Sequence, residues 1–317
     1  MAKIRNIWVT GERVADFGDL IAGGKTLADS VSVVVFADGA QAAEAFAAGA
    51  DRVYVVPGQD LLLEDYVPSF QNLLAREKPR LLLLKTSKRM RLVAGRLAAA
   101  AGTGVITDVT ALTLEGEAII GEHMVYGGSA QRLEKSDGGL CLALVGGGVF
   151  APSPPVAGSG EVVQADFVAP ARQAKLLERK PIAGEAVNLA AAKKVVGIGR
   201  GLARQEDLAL AERLAGALGA EMACTRPIAE GVNWMARERY IGVSGAMLKP
   251  DYYLAVGISG QVQHMVGVTG AKTIIAINND KNAAIFKYAD YGLVADLYTA
   301  LPKLIDLIRE ERVNRKE

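Results

Sequence analysis

The 317 residues are half apolar and 22% charged, enough to fill about two hydrophobic cores and too apolar for a disordered chain. Lys plus Arg (36) nearly equals Asp plus Glu (35), so no overall field draws the chain to nucleic acid or to an anionic membrane. Cys141 and Cys224 are too few for a disulfide framework and suit a reducing compartment, and His123 and His264 are too few and too separated for a histidine-based zinc site.

Charged and polar residues break the first ten positions, and no later apolar run reaches about 18 residues, so a soluble, cytoplasmic α/β protein is expected. In chain order, 4–10 reads as a strand, 17–29 as a helix, 31–36 as a strand, 40–48 as a helix and 52–56 as a strand. A helix over 61–77, a strand over 80–84 and a helix over 88–101 follow. Short β-branched runs separated by helical stretches predict a parallel sheet with helices on its faces. Beyond Gly102, strands are predicted over 107–114, 118–126 and 140–145 without helices between them. Gly127-Gly128 and Asp137-Gly138-Gly139 supply turns for antiparallel connections, so the first sheet gains an antiparallel β-rich edge. Pro152, Pro154 and Pro155 then interrupt, and the stretch from there through 170–180 reads as a tether.

The alternation restarts with a strand over 195–199 and a helix over 205–218. Strands over 252–257, 273–277 and 293–295 and a closing helix over 297–312 complete it. The expected fold class is therefore α/β in two domains, 1–190 and 191–317, each a mainly parallel sheet flanked by helices.

Two segments could carry chemistry. Gly197-Ile198-Gly199-Arg200-Gly201 follows a strand and precedes a helix, where glycines admit a phosphate close to the backbone. A dinucleotide fingerprint would put a glycine at Leu202 and an acid at the end of the next strand; neither is present, so an NAD-dependent dehydrogenase is a weak rival, and a plain tight turn explains the motif equally well. The richer segment runs from Tyr253 through Gly257-Ile258-Ser259-Gly260 to His264, a strand entering a turn and a helical start that Ser259 could cap. Asn278 and Asp296 end the next two strands, so Arg200, Ser259, Asn278 and Asp296 gather where open α/β sheets bind ligands. Singly each has a plain reading: a core histidine at 264, an Asx turn at Asn278, a helix cap at Asp296.

The run from Tyr253 to Asn278, with Gly257-Ile258-Ser259-Gly260-Gln261-Val262-Gln263-His264, Gly267 and Ile275-Ala276-Ile277-Asn278, resembles the signature of the electron transfer flavoprotein α subunit. Residues 289–296 and Gly199-Arg200-Gly201-Leu202 match that family too, and the N-terminal domain matches it in outline. Residues 123–128, 234–240 and 247–250 are most similar to its Fix-type branch, which includes carnitine-associated members.

The resemblance implies FAD along the C-terminal domain, its flavin facing a β subunit. Arg200 matches an arginine near the phosphate and adenosine portion, and Thr225-Arg226 a Ser-Arg pair beside the flavin's reactive edge. Gly242-Val243-Ser244 matches a Gly-Gln-Thr element whose hydroxyl bonds flavin N5; Val243 removes the glutamine contact. Ser259, Gly260, Gln261, Val262, Gln263 and His264 resemble the segment wrapping the ribityl and pyrimidine parts, with His264 at the C2 carbonyl, and Asn278, Asp296 and Leu297 match adenosine-side contacts. A cation or strong donor at His264, aided by Arg226 and a helix N-terminus, would stabilise an anionic semiquinone.

The implied activity is electron carriage rather than turnover of an own substrate. A flavin dehydrogenase of the acyl-CoA type is the implied donor, in fatty acid or carnitine metabolism. The implied acceptors are a quinone oxidoreductase, itself membrane-associated, or a ferredoxin-like protein. A cofactor-free scaffold is the second rival, and it has no use for Arg226, Ser244, Ser259, His264 and Asn278 together. Arg226 could instead form a surface ion pair with Glu230 or Glu238, His123 reads as structural or interfacial, and Trp234 as packing or lid.

Overall fold

The computed structural model describes residues 3–37, 39–58, 61–151, 154, 158–178, 180, 189 and 192–314. The chain divides into two compact units, one of Met1–Val125 with Ala130–Pro181, the other of Tyr126–Ser129 with Ile182–Glu317. The boundary expected between 190 and 191 falls outside the described residues.

In the first unit, strands β1 (Ile4–Thr10), β2 (Ala28–Ala37), β3 (Arg52–Pro57) and β4 (Leu81–Lys85) alternate with helices α1 (Val14–Leu27), α2 (Ala42–Ala47), α3 (Val67–Glu77) and α4 (Lys88–Ala101). Then come β5 (Val105–Glu115), β6 (Ala118–Val125), β7 (Ala130–Ser136), β8 (Cys141–Val145) and β9 (Glu161–Gln164), giving one sheet in the order β7-β6-β5-β8-β4-β1-β2-β3-β9. Among the described residues only β5-β6-β7 pair antiparallel, which is the expected β-rich edge. Alternation along each central strand fills two layers: Ile7, Val9, Leu81 and Leu83 face one core, while Trp8, Leu82 and Leu84 face the other. Phe17, Leu20 and Ile21 of α1 cover the first face, and Phe70 of α3 with Met90 and Val93 of α4 cover the second.

Helix limits differ from expectation for local reasons. Pro68 sits in the first turn of α3, so the predicted helix over 61–77 splits into a 3-10 turn, Leu63–Tyr66, and α3 proper. Two strands lack a sequence signal. β7 (AQRLEKS) is a mostly exposed polar edge strand without an apolar alternation to betray it. β9 lies inside the expected tether and pairs parallel with β3, fastened by Arg52 to Glu161.

In the second unit, β10 (Lys194–Ile198), β11 (Glu221–Cys224), β12 (Tyr252–Val256), β13 (Thr273–Asn278) and β14 (Tyr291–Val294) form an all-parallel sheet in the order β11-β10-β12-β13-β14. Helices α5 (Leu208–Leu218) and α7 (Leu297–Asn314) cover the face carrying Val196, Ile198, Leu254 and Val256. The other face, with Val195, Tyr253, Ala255 and Ala276, is covered by loops and the single-turn helix α6 (Val262–Met265) through Ile241, Leu248, Met265, Val268 and Ile285. β14 closes the sheet with Tyr291, Leu293 and Val294 exposed. Among the described residues no helix is long and apolar enough to cross a membrane.

Candidate functional site

Strand order in the second unit reverses at β10, whose neighbours are β11 on one side and β12 on the other. At such a switch point the connections leave the sheet in opposite directions, and a crevice opens beyond the carboxyl ends of the strands. The turn after β10 (Gly199-Arg200-Gly201) and the turn after β12 (Gly257-Ile258-Ser259-Gly260) lie against each other there. Gly201 N–H donates to the Gly257 carbonyl at 2.9 Å. A Cβ on Gly201 would stand 2.5 Å from the Gly257 Cα, and one on Gly199 2.3 Å from the Gly257 oxygen, so the two backbones touch with no room for a side chain.

Arg200 projects from this contact, exposed to solvent. Leu202, at the position a dinucleotide fingerprint reserves for glycine, is a core residue buried under the α5–α7 face. Gly197, read from the sequence as part of a phosphate-admitting turn, has a different task. It is inside β10, and a Cβ there would stand 2.0 Å from the Tyr253 hydroxyl oxygen. The missing side chain makes space for a phenol, not for a phosphate.

Thr225 follows β11. Its N–H continues the strand ladder to the Ile198 carbonyl at 2.9 Å, and its own carbonyl accepts from Ile228 N–H at 3.0 Å. Its hydroxyl oxygen is buried with no hydrogen-bond partner. An orphan of this kind costs about 1–3 kcal/mol unless a ligand group meets it. Arg226 is exposed and takes the ion pair that the sequence offered as its plain reading: Nε lies 2.7 Å from Glu230, whose other oxygen meets Arg237 Nε at 2.9 Å. Arg226 holds the Glu230 carboxyl below its ordinary range, chiefly through this hydrogen bond.

The segment from Tyr240 to Leu248 is stitched to α6 and the turn after it: Val243 N–H donates to the Gln263 carbonyl at 2.9 Å and Leu248 N–H to that of Gly267 at 2.7 Å. This places Gly242, Val243 and Ser244 beside Gln263, with Ser244 Oγ 3.1 Å from the Tyr240 hydroxyl. Val243 is exposed, as are Gln261 and Gln263, while Val262 is half-buried.

Ser259 does not cap a helix. Gly260 turns the chain in the left-handed region (φ +85°) and presses on Ile285, where a Cβ would meet the Ile285 nitrogen at 2.1 Å. The helix therefore starts two residues later than expected, with Gln261 at its N-cap and no side-chain cap. At four residues α6 is one turn, too short to supply the helix-terminus field expected from the sequence.

His264 is buried, with Nε2 2.8 Å from the Tyr253 hydroxyl and Nδ1 3.2 Å from the Ile241 carbonyl oxygen. Burial pulls the imidazole down to about 4, so at neutral pH it is an uncharged ring and not the cation that the resemblance allowed for. Asn278 donates from Nδ2 to the Ile258 carbonyl at 2.9 Å, pinning the Gly257–Gly260 turn, and accepts from Asp280 N–H at 2.9 Å in an Asx turn. Asp296 accepts from Thr299 N–H at 3.0 Å, capping α7. Leu297 is buried against the two glycine turns, its Cδ1 2.9 Å from where a Gly257 Cβ would be. Asn278, Asp296 and Leu297 thus each have a structural task that builds the crevice. Tyr253 is the participant that sequence reasoning passed over, since one tyrosine in a buried strand carries no signal until its partner across the fold is known.

At the carboxyl ends of β10 and β11 stand the exposed Arg200 and the buried, unpartnered Thr225 hydroxyl, with two glycine-rich turns in backbone contact there. That chemistry suits a ligand with phosphate at one end and hydrogen-bond acceptors at the other. Among the described residues no group of three or more His, Cys, Asp or Glu side chains is placed to hold a metal ion.

Comparison with known proteins gives the same region a chemistry. The family described as the electron transfer flavoprotein FAD-binding domain matches residues 188–269, and that described as the electron transfer flavoprotein domain matches residues 18–170. YdiR of Escherichia coli (strain K12), named as an electron transfer flavoprotein subunit, is 42% identical over 309 residues, 96% of this chain and 98% of its own. FixB of Salmonella typhimurium (strain LT2) is 38% identical over 308 residues and FixB of Escherichia coli O139:H28 38% over 309, each spanning 96% of this chain and 98% of the relative.

Proposed function

We propose, from the premise that this chain belongs to the α-type subunits of the electron transfer flavoproteins and binds FAD, that it carries electrons between other flavoproteins in a complex with a β subunit. The donor in this reading is a dehydrogenase of acyl-CoA thioesters, and the acceptor is a quinone oxidoreductase or a ferredoxin-like protein. The setting is cytoplasmic fatty acid or carnitine metabolism, and the FAD-binding domain is 191–317.

FAD, when bound, supplies the capacity to take up and release electrons one or two at a time, chemistry that the protein tunes rather than performs. The chain's own residues bind, orient and exclude water. The observation that carries the reading is the buried, unpartnered hydroxyl of Thr225, whose N–H bonds Ile198 at the end of β10, where the glycine-rich turn with the exposed Arg200 begins. Arg200 offers its charge to the cofactor's phosphates, and the Gly199–Gly201 and Gly257–Gly260 turns admit them close to the backbone. Thr225 offers a hydroxyl proton, Arg226 a cation at the rim, and Ser244 a second hydroxyl near the same loop. Ser259 to His264 form the wall between them, with Asn278, Asp296 and Leu297 supporting it from below.

A visible spectrum of the chain co-purified with its β subunit tests this. Flavin bands that bleach on stepwise dithionite addition, and again on adding an acyl-CoA with its dehydrogenase, are the expected result. A complex that stays colourless after added FAD refutes the carrier; flavin bands that respond to dithionite alone refute the acyl-CoA donor only.

A further inference from the structure

The two nitrogens of the His264 ring have unlike neighbours, and that difference decides where the protons are. Nδ1 lies 3.2 Å from the Ile241 carbonyl oxygen, which can only accept, so Nδ1 bears the hydrogen. Nε2 is then a bare lone pair, and the Tyr253 hydroxyl 2.8 Å away must donate to it. The opposite tautomer would set a nitrogen lone pair against a carbonyl oxygen in a buried site. Tyr253 is fully buried, and its oxygen occupies the space left by Gly197 on the next strand, so the hydroxyl cannot shift away without moving the sheet.

The contact joins three pieces of the site. Tyr253 belongs to β12, His264 to α6, and Ile241 to the loop that leads directly into Gly242, Val243 and Ser244. The backbone bond from Val243 to Gln263 runs alongside it. Break the hydroxyl link, and the imidazole keeps one tether where it had two.

We propose that Tyr253 is a positioning residue for the cofactor site, holding His264 as the neutral Nδ1–H tautomer and fixing α6 against the Ile241–Ala246 loop. The proposal rests on the reading of this unit as the FAD site. The tautomer belongs to the protein alone, so it can be tested apart from the cofactor.

The chain has two histidines, which makes the measurement tractable. In the complex with the β subunit, with ¹⁵N-histidine in this chain only, a His123→Gln chain leaves a single pair of ring nitrogens to observe. The expected spectrum shows a protonated Nδ1 and an unprotonated, hydrogen-bonded Nε2. Tyr253→Phe should move the Nε2 signal toward that of an unbonded ring nitrogen, leave Nδ1 in place, and weaken FAD binding roughly three- to tenfold, the size of one net hydrogen bond. A protonated Nε2 in the unaltered Tyr253 chain overturns the assignment even if Tyr253→Phe fails to fold. An Nε2 signal that ignores Tyr253→Phe overturns the donor role. The expected tautomer in a complex that never takes up FAD overturns the cofactor role and leaves the tautomer standing.

Discussion

Lowering the pH should destabilise the second unit well before its carboxylates titrate. His264 is held neutral by burial, at about 4 against an ordinary value of 6.5. Above about pH 6.5 neither folded nor unfolded chain binds the proton, so the stability is fully present. As pH falls through that value the unfolded chain takes up a proton that the folded chain refuses. The loss grows until about pH 4, where both are protonated. Between about pH 7 and pH 5 the linkage relation gives a loss of about 2 kcal/mol from this one group. Glu230, which the Arg226 hydrogen bond holds below the carboxylate range, adds its own loss only at lower pH, so the window belongs to the imidazole. Urea unfolding followed by Trp234 emission in a Trp8→Phe chain reads the second unit, because Trp8 lies in the first. At fixed FAD concentration the unfolding free energy should fall across that window, and His264→Gln should abolish the slope. An unchanged free energy, or an equal slope in His264→Gln, would refute the buried neutral imidazole.

Thr225→Val should leave the FAD-free chain as stable or up to about 1 kcal/mol more stable, because it removes an orphaned hydroxyl, while weakening FAD about tenfold by fluorescence titration. Loss of stability with unchanged affinity would place the hydroxyl outside the cofactor site. Gly197→Ala should cost about 1–3 kcal/mol by urea unfolding, because its methyl would overlap the Tyr253 hydroxyl. Tyr253→Phe should not rescue it, since the ring carbon Cζ is itself only 2.5 Å from the added Cβ. Cys224, whose thiol burial pushes up to about 12, should resist iodoacetamide in the native chain and react on unfolding; rapid labelling by mass spectrometry would show the β11 end to be open.

The parallel layers were legible because buried strands such as Leu81–Lys85 and Tyr252–Val256 are short, apolar and bounded by helical stretches. β7 and β9 were not, because an exposed edge strand is chosen for solubility and carries no inward stripe. At the candidate site, sequence pattern pointed to the strand-end turns but could not apportion their glycines. Gly199, Gly201 and Gly257 serve backbone contact at the crevice, whereas Gly197 serves the packing of a tyrosine on another strand. Nor could it tell an available side chain from an occupied one. His264, Asn278 and Asp296 look like ligand contacts in the sequence, and each is committed to the protein in the fold. Thr225 reads as a match to the serine of a Ser-Arg pair, and the fold leaves its hydroxyl buried without a partner.

The bare rim formed by β14 sets the conditions under which this chain can be handled alone. Tyr291, Leu293 and Val294 stand exposed on a strand whose outer backbone groups face away from the sheet. Such a rim is a template for another strand, and two copies meeting there would align their apolar side chains as well as their amides. Concentrating the isolated chain should therefore drive edge-to-edge oligomers before the core itself loosens. Leu293→Lys, which places a charge on the exposed rim, is the natural change for keeping the chain monodisperse.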